Sequence, residues 1–503
     1  MKPLGTDAPV LVVGAGIMGS GIAQVAALAG HLVWLHDARA GAAAAARDKL
    51  GATLDGLVAK GRLEAATAQA ALARIVPIAA LDEARDARLV VEAIVEDLAA
   101  KRALFAALED LLAPDAVLAS NTSSISITAI AGALRHPARV VGMHFFNPVP
   151  LMKLVEVVSG LQSDAAVAQA VFDLARAWGK VPVLAKSTPG FIVNRIARPY
   201  YAETLALLQE QAAPPAVLDA CLKAAGFRMG PCELMDLIGH DTNFAVTNSV
   251  YEANFFDKRY QPSGLQREMV AGGLLGRKSG RGFYAYPDGM PALPVPVFDA
   301  PTTAGAVAVH GSGPVADALF DAATRALAPQ GWGPARVEGS GWCGLQVDAA
   351  RLVLTDGRPA WRVAADTGVA DVAVFDRPVL QPTPPGSALA FSIHAGASAA
   401  WKAQAAAWLH ALGFTPLPLA DAPGLVVART LAMLVNEASD AVLQGVCSED
   451  GADSAMKLGV NWPAGPFEWL RGWGRDGVAG VLRALDDEYR GERYRVSPRL
   501  RRG

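Results

Sequence analysis

An apolar run, Pro9-Val10-Leu11-Val12-Val13, enters the turn Gly14-Ala15-Gly16-Ile17-Met18-Gly19, and the acidic Asp37 follows 18 residues after Gly19. This spacing constrains the fold because each part has its own task in a strand–turn–helix unit that binds a dinucleotide. Gly14 permits the tight turn. Gly16 has no Cβ, so the backbone can approach a pyrophosphate. Gly19 lets the helix lie close on the strand. Ile17 and Met18 fall at the helix start, whose unpaired N–H groups and partial positive charge suit phosphate. His31-Leu32-Val33-Trp34-Leu35-His36 reads as the second strand, with Asp37 at its end. A carboxylate there accepts from the ribose hydroxyls and repels a 2′-phosphate, so NAD is the expected cofactor rather than NADP.

A chain of 503 residues exceeds a single core and implies roughly two to four domains. The net charge of −3 gives no reason to expect nucleic acid or a membrane surface as partner. The four cysteines, Cys221, Cys232, Cys343 and Cys447, form no Cys-x-x-Cys pair, which fits a reducing compartment and argues against a metal site. The uncharged stretch between Asp7 and His31 is long enough to suggest a membrane span, but its glycines and strand-then-helix pattern explain it better. It also lacks the basic lead-in of a signal peptide. A soluble, cytoplasmic protein is expected.

Residues 9–187 alternate apolar runs with helical stretches, as a doubly wound parallel sheet does. Strands are expected at Leu89–Ile94, Ala116–Ala119 and Val140–Met143, and their ends fall beside Glu96, Asn121 and His144. Ligands bind outside the carboxyl ends of such strands. From Gly190 to about Tyr286 the pattern is helical, and Ile192 to Glu210 holds one breaker, Pro199. Pro287–Pro301 carries five prolines and reads as a linker. Beyond it lies a repeat. Trp178–Pro182 and Pro189–Arg195 match Leu412–Pro416 and Pro423–Arg429 at a constant offset of 234. Gly230-Pro231-Cys232-Glu233 resembles Gly465-Pro466-Phe467-Glu468, one residue out of register. Residues 303–420 read as a degenerate copy of the first domain. Its Gly311-Ser312-Gly313 turn lacks the third glycine, and Pro334 stands where the ribose acid would fall. The expected organisation is an NAD-binding α/β domain (1–187), a helical substrate and dimerisation domain (188–286), a linker (287–302), a degenerate Rossmann-like domain (303–420) and a second helical domain (421–503).

Oxidising an alcohol with NAD requires a base within reach of the hydroxyl, at a pKa near working pH. Histidine meets that demand, provided a carboxylate fixes its tautomer and neutral donors hold the reacting oxygen. His144, Glu156, Ser123 and Asn194 supply this set. Taken singly, each has a plainer reading. His144 could be a hydrogen-bonded core residue, and Ser123 could cap the helix starting near Ser126. Glu156, inside the run Leu154–Val158, is either exposed on one face or paired inside. Asn194 could cap or crosslink its helix.

Four segments nevertheless resemble one family: Ser120–Ser124; His144-Phe145-Phe146-Asn147-Pro148-Val149-Pro150 with Met152–Glu156; Pro189–Arg195; and Gly276-Arg277-Lys278-Ser279-Gly280-Arg281-Gly282-Phe283-Tyr284. They are similar to the (S)-3-hydroxyacyl-CoA dehydrogenases of fatty-acid β-oxidation over roughly residues 8–286, and more faintly over 409–475. The resemblance implies that His144 is the catalytic base, that Glu156 is its electrostatic partner, and that Ser123 and Asn194 bind the reacting oxygen of an acyl-CoA. It places Glu96 and Lys101 near the cofactor, and Asn121, at its strand end, is a further cofactor-binding candidate. Lys101 alternatively reads as a solvated helix residue.

The second copy has Ala428 at the position of Asn194, and no Phe-Phe-Asn-Pro segment follows His394, so it is not expected to form a second active site. No enoyl-CoA hydratase-like segment precedes the NAD domain in this sequence, so a single-function chain is expected. The bacterial family members that oxidise 3-hydroxyadipyl-CoA in phenylacetate degradation are most similar in this organisation. The alternative substrates are 3-hydroxybutyryl-CoA or a general short-chain thioester. A distal carboxylate calls for a cation; Arg195 and Arg198 lie near Asn194, and either could instead be a surface charge. The assembly is expected to be a homodimer or a monomer whose two helical domains pack as a pseudo-dimer. In the second case light scattering shows one chain per particle, and a tight dimer would refute it.

Overall fold

In the computed structural model, residues 4–294, 296–303, 305–379 and 384–502 are described; Val295 of the proline-rich stretch and Ala304 of the degenerate domain lie outside them. The chain forms two compact units. The first runs to Arg195 and includes Ala441–Asn461; the second comprises Ile196–Asp440 and the residues from Trp462 onward.

The first unit is built on eight strands: β1 (Val10–Val13), β2 (Val33–His36), β3 (Ile75–Pro77), β4 (Leu89–Glu92), β5 (Val117–Ser120), β6 (Val140–Phe145), β7 (Leu154–Ser159) and β8 (Val181–Lys186). Their order is β3-β2-β1-β4-β5-β6-β7-β8. β1, β4, β5 and β6 are buried along their whole length, which is why they read as unbroken apolar runs. All neighbours are parallel except β6 and β7. A parallel return needs a crossover of about a dozen residues or more, and the link from Phe145 to Leu154 is shorter than that. The purely parallel sheet expected from sequence is therefore broken at this one pair. Lys180 pins the link, donating from Nζ to the carbonyls of Val149 at 2.5 Å and Met152 at 2.8 Å. Burial pulls its pKa down to about 8.

The segment 441–461, placed by sequence within a second helical domain, clusters with the first unit instead. The Lys186 N–H donates to the Val446 carbonyl at 2.9 Å, and the helix Glu449–Gly459 lies on β7 and β8. Small residues allow the approach: a Cβ on Gly459 would come within 2.7 Å of Leu154 and 3.1 Å of Val193. Arg195 donates to the Gln444 side chain at 2.8 Å.

The second unit holds β9 (Val307–His310), β10 (Ala335–Val337), β11 (Gly344–Val347), β12 (Ala350–Leu354), β13 (Val372–Phe375), β14 (Ser387–Ile393) and β15 (Phe414–Pro418). Their order is β10-β9-β11-β12-β13-β14-β15, with β9–β11, β11–β12 and β13–β14 antiparallel. The expected helical region follows Ile192, but as a turn, Val193–Ile196, and then a helix, Arg198–Gln209. Pro199 sits in the first turn of that helix, where its missing N–H costs nothing.

The duplication is written into the ion pairs of this unit. Glu203 accepts from Arg493 at 2.8 Å and from the Tyr494 hydroxyl at 3.0 Å. Glu437 accepts from Arg259 at 3.2 Å and from the Tyr260 hydroxyl at 2.5 Å. Each residue of the first set stands 234 positions from its counterpart in the second, so each copy's Arg-Tyr pair meets the other copy's glutamate. Such reciprocity is the signature of a two-fold, isologous contact.

The Gly276–Tyr284 segment folds around the buried Asp236. That carboxylate accepts from Phe283 N–H and His240 at 2.9 Å, Tyr284 N–H at 3.0 Å and the Tyr286 hydroxyl at 2.9 Å. Asp236→Ala orphans these donors and should cost about 3 kcal/mol or more. Urea unfolding should show an earlier transition; an unshifted midpoint would contradict this account of the motif.

Candidate active site

Gly14 lies at φ 106°, and a Cβ there would sit 2.4 Å from the Ala93 carbonyl oxygen. A Cβ on Gly19 would sit 1.7 Å from the Gly14 carbonyl oxygen. Gly16 differs: its Cβ position is open, with no atom within 4 Å among the described residues. Gly16 begins the helix Ile17–Leu28 without a side-chain cap, and no acid lies in the first turn. Ile17 is 78 % exposed there. Asp37 accepts from the Ala15 N–H at 2.8 Å, and from the Arg39 N–H and Nε at 3.0 Å each. The Arg39 side chain, outweighing slight burial, and these N–H groups hold its pKa down at about 2, so it is ionised across the neutral range. An open glycine, an uncapped helix start and a fixed carboxylate together fit an NAD pyrophosphate and ribose.

A cavity of about 390 Å3 lies beyond the strand ends, lined by Met18, Glu96, Lys101, Asn121, Ser123, His144, Phe146 and Asn194, among others. Seven of the sequence-predicted site residues thus meet in one place, with Phe146 beside them. His144 and Glu156 are register partners across the antiparallel β6–β7 pair. His144 Nδ1 lies 2.6 Å from Glu156 Oε2, with both side chains buried. The other oxygen, Oε1, accepts from the Ile192 N–H at 3.1 Å and the Val193 N–H at 2.9 Å. Glu156 is therefore paired inside, and the reading that exposes it on one face falls away. Phe146 and Phe191 flank the imidazole, at 4.5 and 5.9 Å between ring centroids. The Asn194 amide reaches the Ser123 carbonyl at 3.5 Å. The neighbouring helix is capped by Ser126, which leaves the Ser123 hydroxyl available.

Lys101 is not a solvated residue. It is 1 % exposed and held between Glu92 at 2.6 Å and Glu96 at 3.3 Å. Glu96 also accepts from Thr122 Oγ1 at 2.5 Å, Ser123 N–H at 3.1 Å and Ser124 Oγ at 3.0 Å. Burial pushes its pKa up, but the Thr122 bond and the Lys101 charge outweigh this, and the net shift is downward. Asn121 ties strand ends together, accepting from the Phe145 N–H at 2.9 Å. Sequence reasoning missed Glu92, which takes Lys101, the Ile94 N–H at 2.7 Å and Ser120 Oγ at 2.6 Å. An acid closing an otherwise apolar strand was the available signal.

The degenerate copy has the same frame with other chemistry. Asp376, at the end of β13, accepts from the Val426, Val427 and Ala428 N–H groups at 2.9, 2.7 and 3.0 Å. Val426 and Val427 correspond to Ile192 and Val193, so this carboxylate does the anchoring done by Glu156 in the first copy. No imidazole accompanies it: His394 instead bonds the Ala370 carbonyl through Nδ1 at 3.0 Å.

These features define an NAD-binding oxidoreductase with a histidine–carboxylate pair at the strand ends. Residues 9–188 match the NAD-binding domain of 3-hydroxyacyl-CoA dehydrogenase, and residues 190–286 and 424–502 match its C-terminal domain. Residues 352–423 match the reduced Rossmann-fold domain of 3-hydroxybutyryl-CoA dehydrogenase. A 3-hydroxyadipyl-CoA dehydrogenase of Escherichia coli is 42 % identical over 98 % of this chain and 96 % of its own. The human mitochondrial hydroxyacyl-coenzyme A dehydrogenase is 39 % identical over 55 % of this chain and 90 % of its own. The crystal structure of a 3-hydroxybutyryl-CoA dehydrogenase from Escherichia coli covers 98 % of each chain at 42 % identity, with a TM-score of 0.86. The chain belongs to the 3-hydroxyacyl-CoA dehydrogenase family and is an NAD-dependent enzyme of that class. Among the described residues no helix is long and apolar enough to cross a membrane.

The glycine geometry separates binding from folding. Gly16→Ala should leave thermal unfolding unchanged while weakening NAD binding, measured by fluorescence titration. Gly19→Ala should destabilise by about 1–3 kcal/mol or more through overpacking. Equal effects of the two on stability would contradict these roles.

Proposed function

We propose that His144 is the base that takes the hydroxyl proton of a (3S)-3-hydroxyacyl-CoA as it becomes the 3-oxoacyl-CoA. The 2.6 Å contact from Nδ1 to Glu156 carries the reading, because it fixes the tautomer and leaves Nε2 for the substrate. Bound NAD supplies the acceptor for the hydride. Glu156, anchored by two backbone N–H groups, stabilises the imidazolium that forms. Ser123 and Asn194 line the same cavity and would hold the reacting oxygen as its charge changes. Glu96, Lys101 and Asn121 would shape the nicotinamide side, and Gly14, Gly16, Ile17, Met18, Gly19 and Asp37 the pyrophosphate and adenosine side.

The favoured substrate is 3-hydroxyadipyl-CoA, in keeping with a relative of that name matched over nearly its full length. The second reading, 3-hydroxybutyryl-CoA, is favoured by the solved Escherichia coli dehydrogenase of that name, matched equally fully. We further propose a monomer: the reciprocal Glu203 and Glu437 pairs supply within one chain the self-complementary contact that a shorter relative would need a second chain to make.

NADH formation, followed by absorbance, tests the chemistry. The wild type should oxidise 3-hydroxyadipyl-CoA with a higher kcat/KM than 3-hydroxybutyryl-CoA. His144→Gln should lower kcat by roughly 10²–10⁴-fold while NAD affinity and unfolding midpoint stay put. Undiminished turnover in that variant would point to another base, such as a lysine.

A further inference from the structure

The second unit carries a crevice at one edge of its own sheet that the oxidation does not use. Gly311 follows β9, Thr355 follows β12 and Arg377 lies two residues beyond β13, and these three strands run in one direction. Ligands of open α/β sheets bind outside the carboxyl ends of the strands, which is this edge. Two cavities lie there, of about 430 and 510 Å3, and both are lined by Ser312, Cys343, Leu354, Arg377 and Trp473. Small-molecule sites typically span about 300–1,000 Å3. The smaller cavity is rich in glycine, with Ser340 and Thr355 among its polar groups. The larger is mostly apolar, with Pro314, Val315, Pro378, Leu431 and Trp469 in its walls.

Arg377 is the cation common to both cavities. Its guanidinium carbon lies 4.5 Å from the ring centroid of Trp473. A guanidinium stacked on a ring keeps its edge of N–H donors free to bond in its own plane. Its Nε is buried and has no hydrogen-bond partner among the described residues. The nearby acids are committed elsewhere. Asp376 accepts from the Val426, Val427 and Ala428 N–H groups and from the backbone N–H of Arg377, at 2.8 Å, rather than from the guanidinium. Asp356 takes the Arg358 side chain, and Glu468 accepts from the Gly465 N–H at 2.8 Å. Asp476 is exposed in the first turn of the helix Arg475–Tyr489. Burial pulls the Arg377 pKa down to about 10, against a smaller upward pull from Cys343 and Asp376. An anion within reach of the fork offsets that desolvation.

We propose that this crevice binds a small carboxylic acid with an apolar body, its carboxylate on the Arg377 fork and its body against Val315, Leu431 and Trp469. A guanidinium meets the two oxygens of a carboxylate in parallel bonds. The apolar cavity beside it stabilises a hydrocarbon or aromatic body, which an inorganic anion lacks. A nucleotide suits the crevice less well, because Pro334 stands where a ribose-binding acid would fall and the third glycine of the turn is missing. Asp376 has no imidazole partner among the described residues, so binding there is not followed by the oxidation proposed for the first copy.

Isothermal titration of the full chain, saturated with NAD, tests this with hexanoate and benzoate as probes. At least one acid should bind saturably; tighter hexanoate assigns a linear body, and tighter benzoate an aromatic one. Arg377→Met should weaken that binding roughly 10–100-fold. Arg377→Lys, which keeps the charge but loses the fork, should fall between it and the wild type. Hexanamide, which is neutral, and acetate, which has almost no body, should each bind at least about 10-fold more weakly than hexanoate. Acetate or inorganic phosphate binding as tightly as the better acid would show an anion contact only and overturn the proposal. Unchanged affinity in Arg377→Met, or no saturable heat with either acid, overturns it too. Should Arg377→Met fail to fold, Cys343 on the shared wall decides the matter in the wild type. The bound acid should slow its alkylation by iodoacetamide, read by peptide mass spectrometry, and leave Cys447 of the first unit unaffected. No protection of Cys343, or equal protection of both cysteines, overturns the proposal.

Discussion

The antiparallel pairing of β6 with β7 is the constraint on which the site depends. It sets His144 directly across from Glu156, at 2.6 Å between side chains. With a parallel neighbour this register would be lost. The cause is topological: the link between the strands is too short for a crossover, and Lys180 clamps it. The carboxylate is then gripped from a second direction by the N–H groups that open the turn Val193–Ile196, which also carries Asn194. Glu156, His144 and Asn194 are thus positioned by a single loop, a single strand pair and a single helical turn.

The degenerate copy shows what such a frame retains when no histidine pairs with its carboxylate. The backbone N–H groups at Val426–Ala428 still need an acceptor, and Asp376 supplies one from the adjacent strand. Leaving those donors buried and unsatisfied would cost about 1–3 kcal/mol each. The helical segments kept their complementarity as well, because Glu203 and Glu437 each require the other copy's Arg-Tyr pair. Duplication here preserves packing and buried polar satisfaction more strictly than it preserves reacting groups.

Much of the site was legible because its parts are close in sequence. The glycine turn and Asp37 are governed by local backbone sterics, so their roles follow from spacing alone. The strands ending at Glu92, Ser120 and Phe145 are recognisable as apolar runs buried on both faces. Lys101 was not legible in the same way. A lysine on an amphipathic helix normally reads as solvated, and only the convergence of two glutamates from separate segments explains its burial. Segment 441–461 belongs with β7 and β8 through glycines whose closeness to distant side chains leaves no periodic trace.

The sequence alone determined the dinucleotide unit, the duplication at an offset of 234, and the family to which the His144 segment belongs, because short-range sterics and residue spacing carry that information. Tertiary structure alone decided that Glu156 faces inward, that Arg198 is buried, and that Asp376 replaces Glu156 as anchor in the second copy. Each of these turns on which groups meet across strands and helices far apart in the chain, and pairing register and buried hydrogen-bond demand settle that only once the chain has folded.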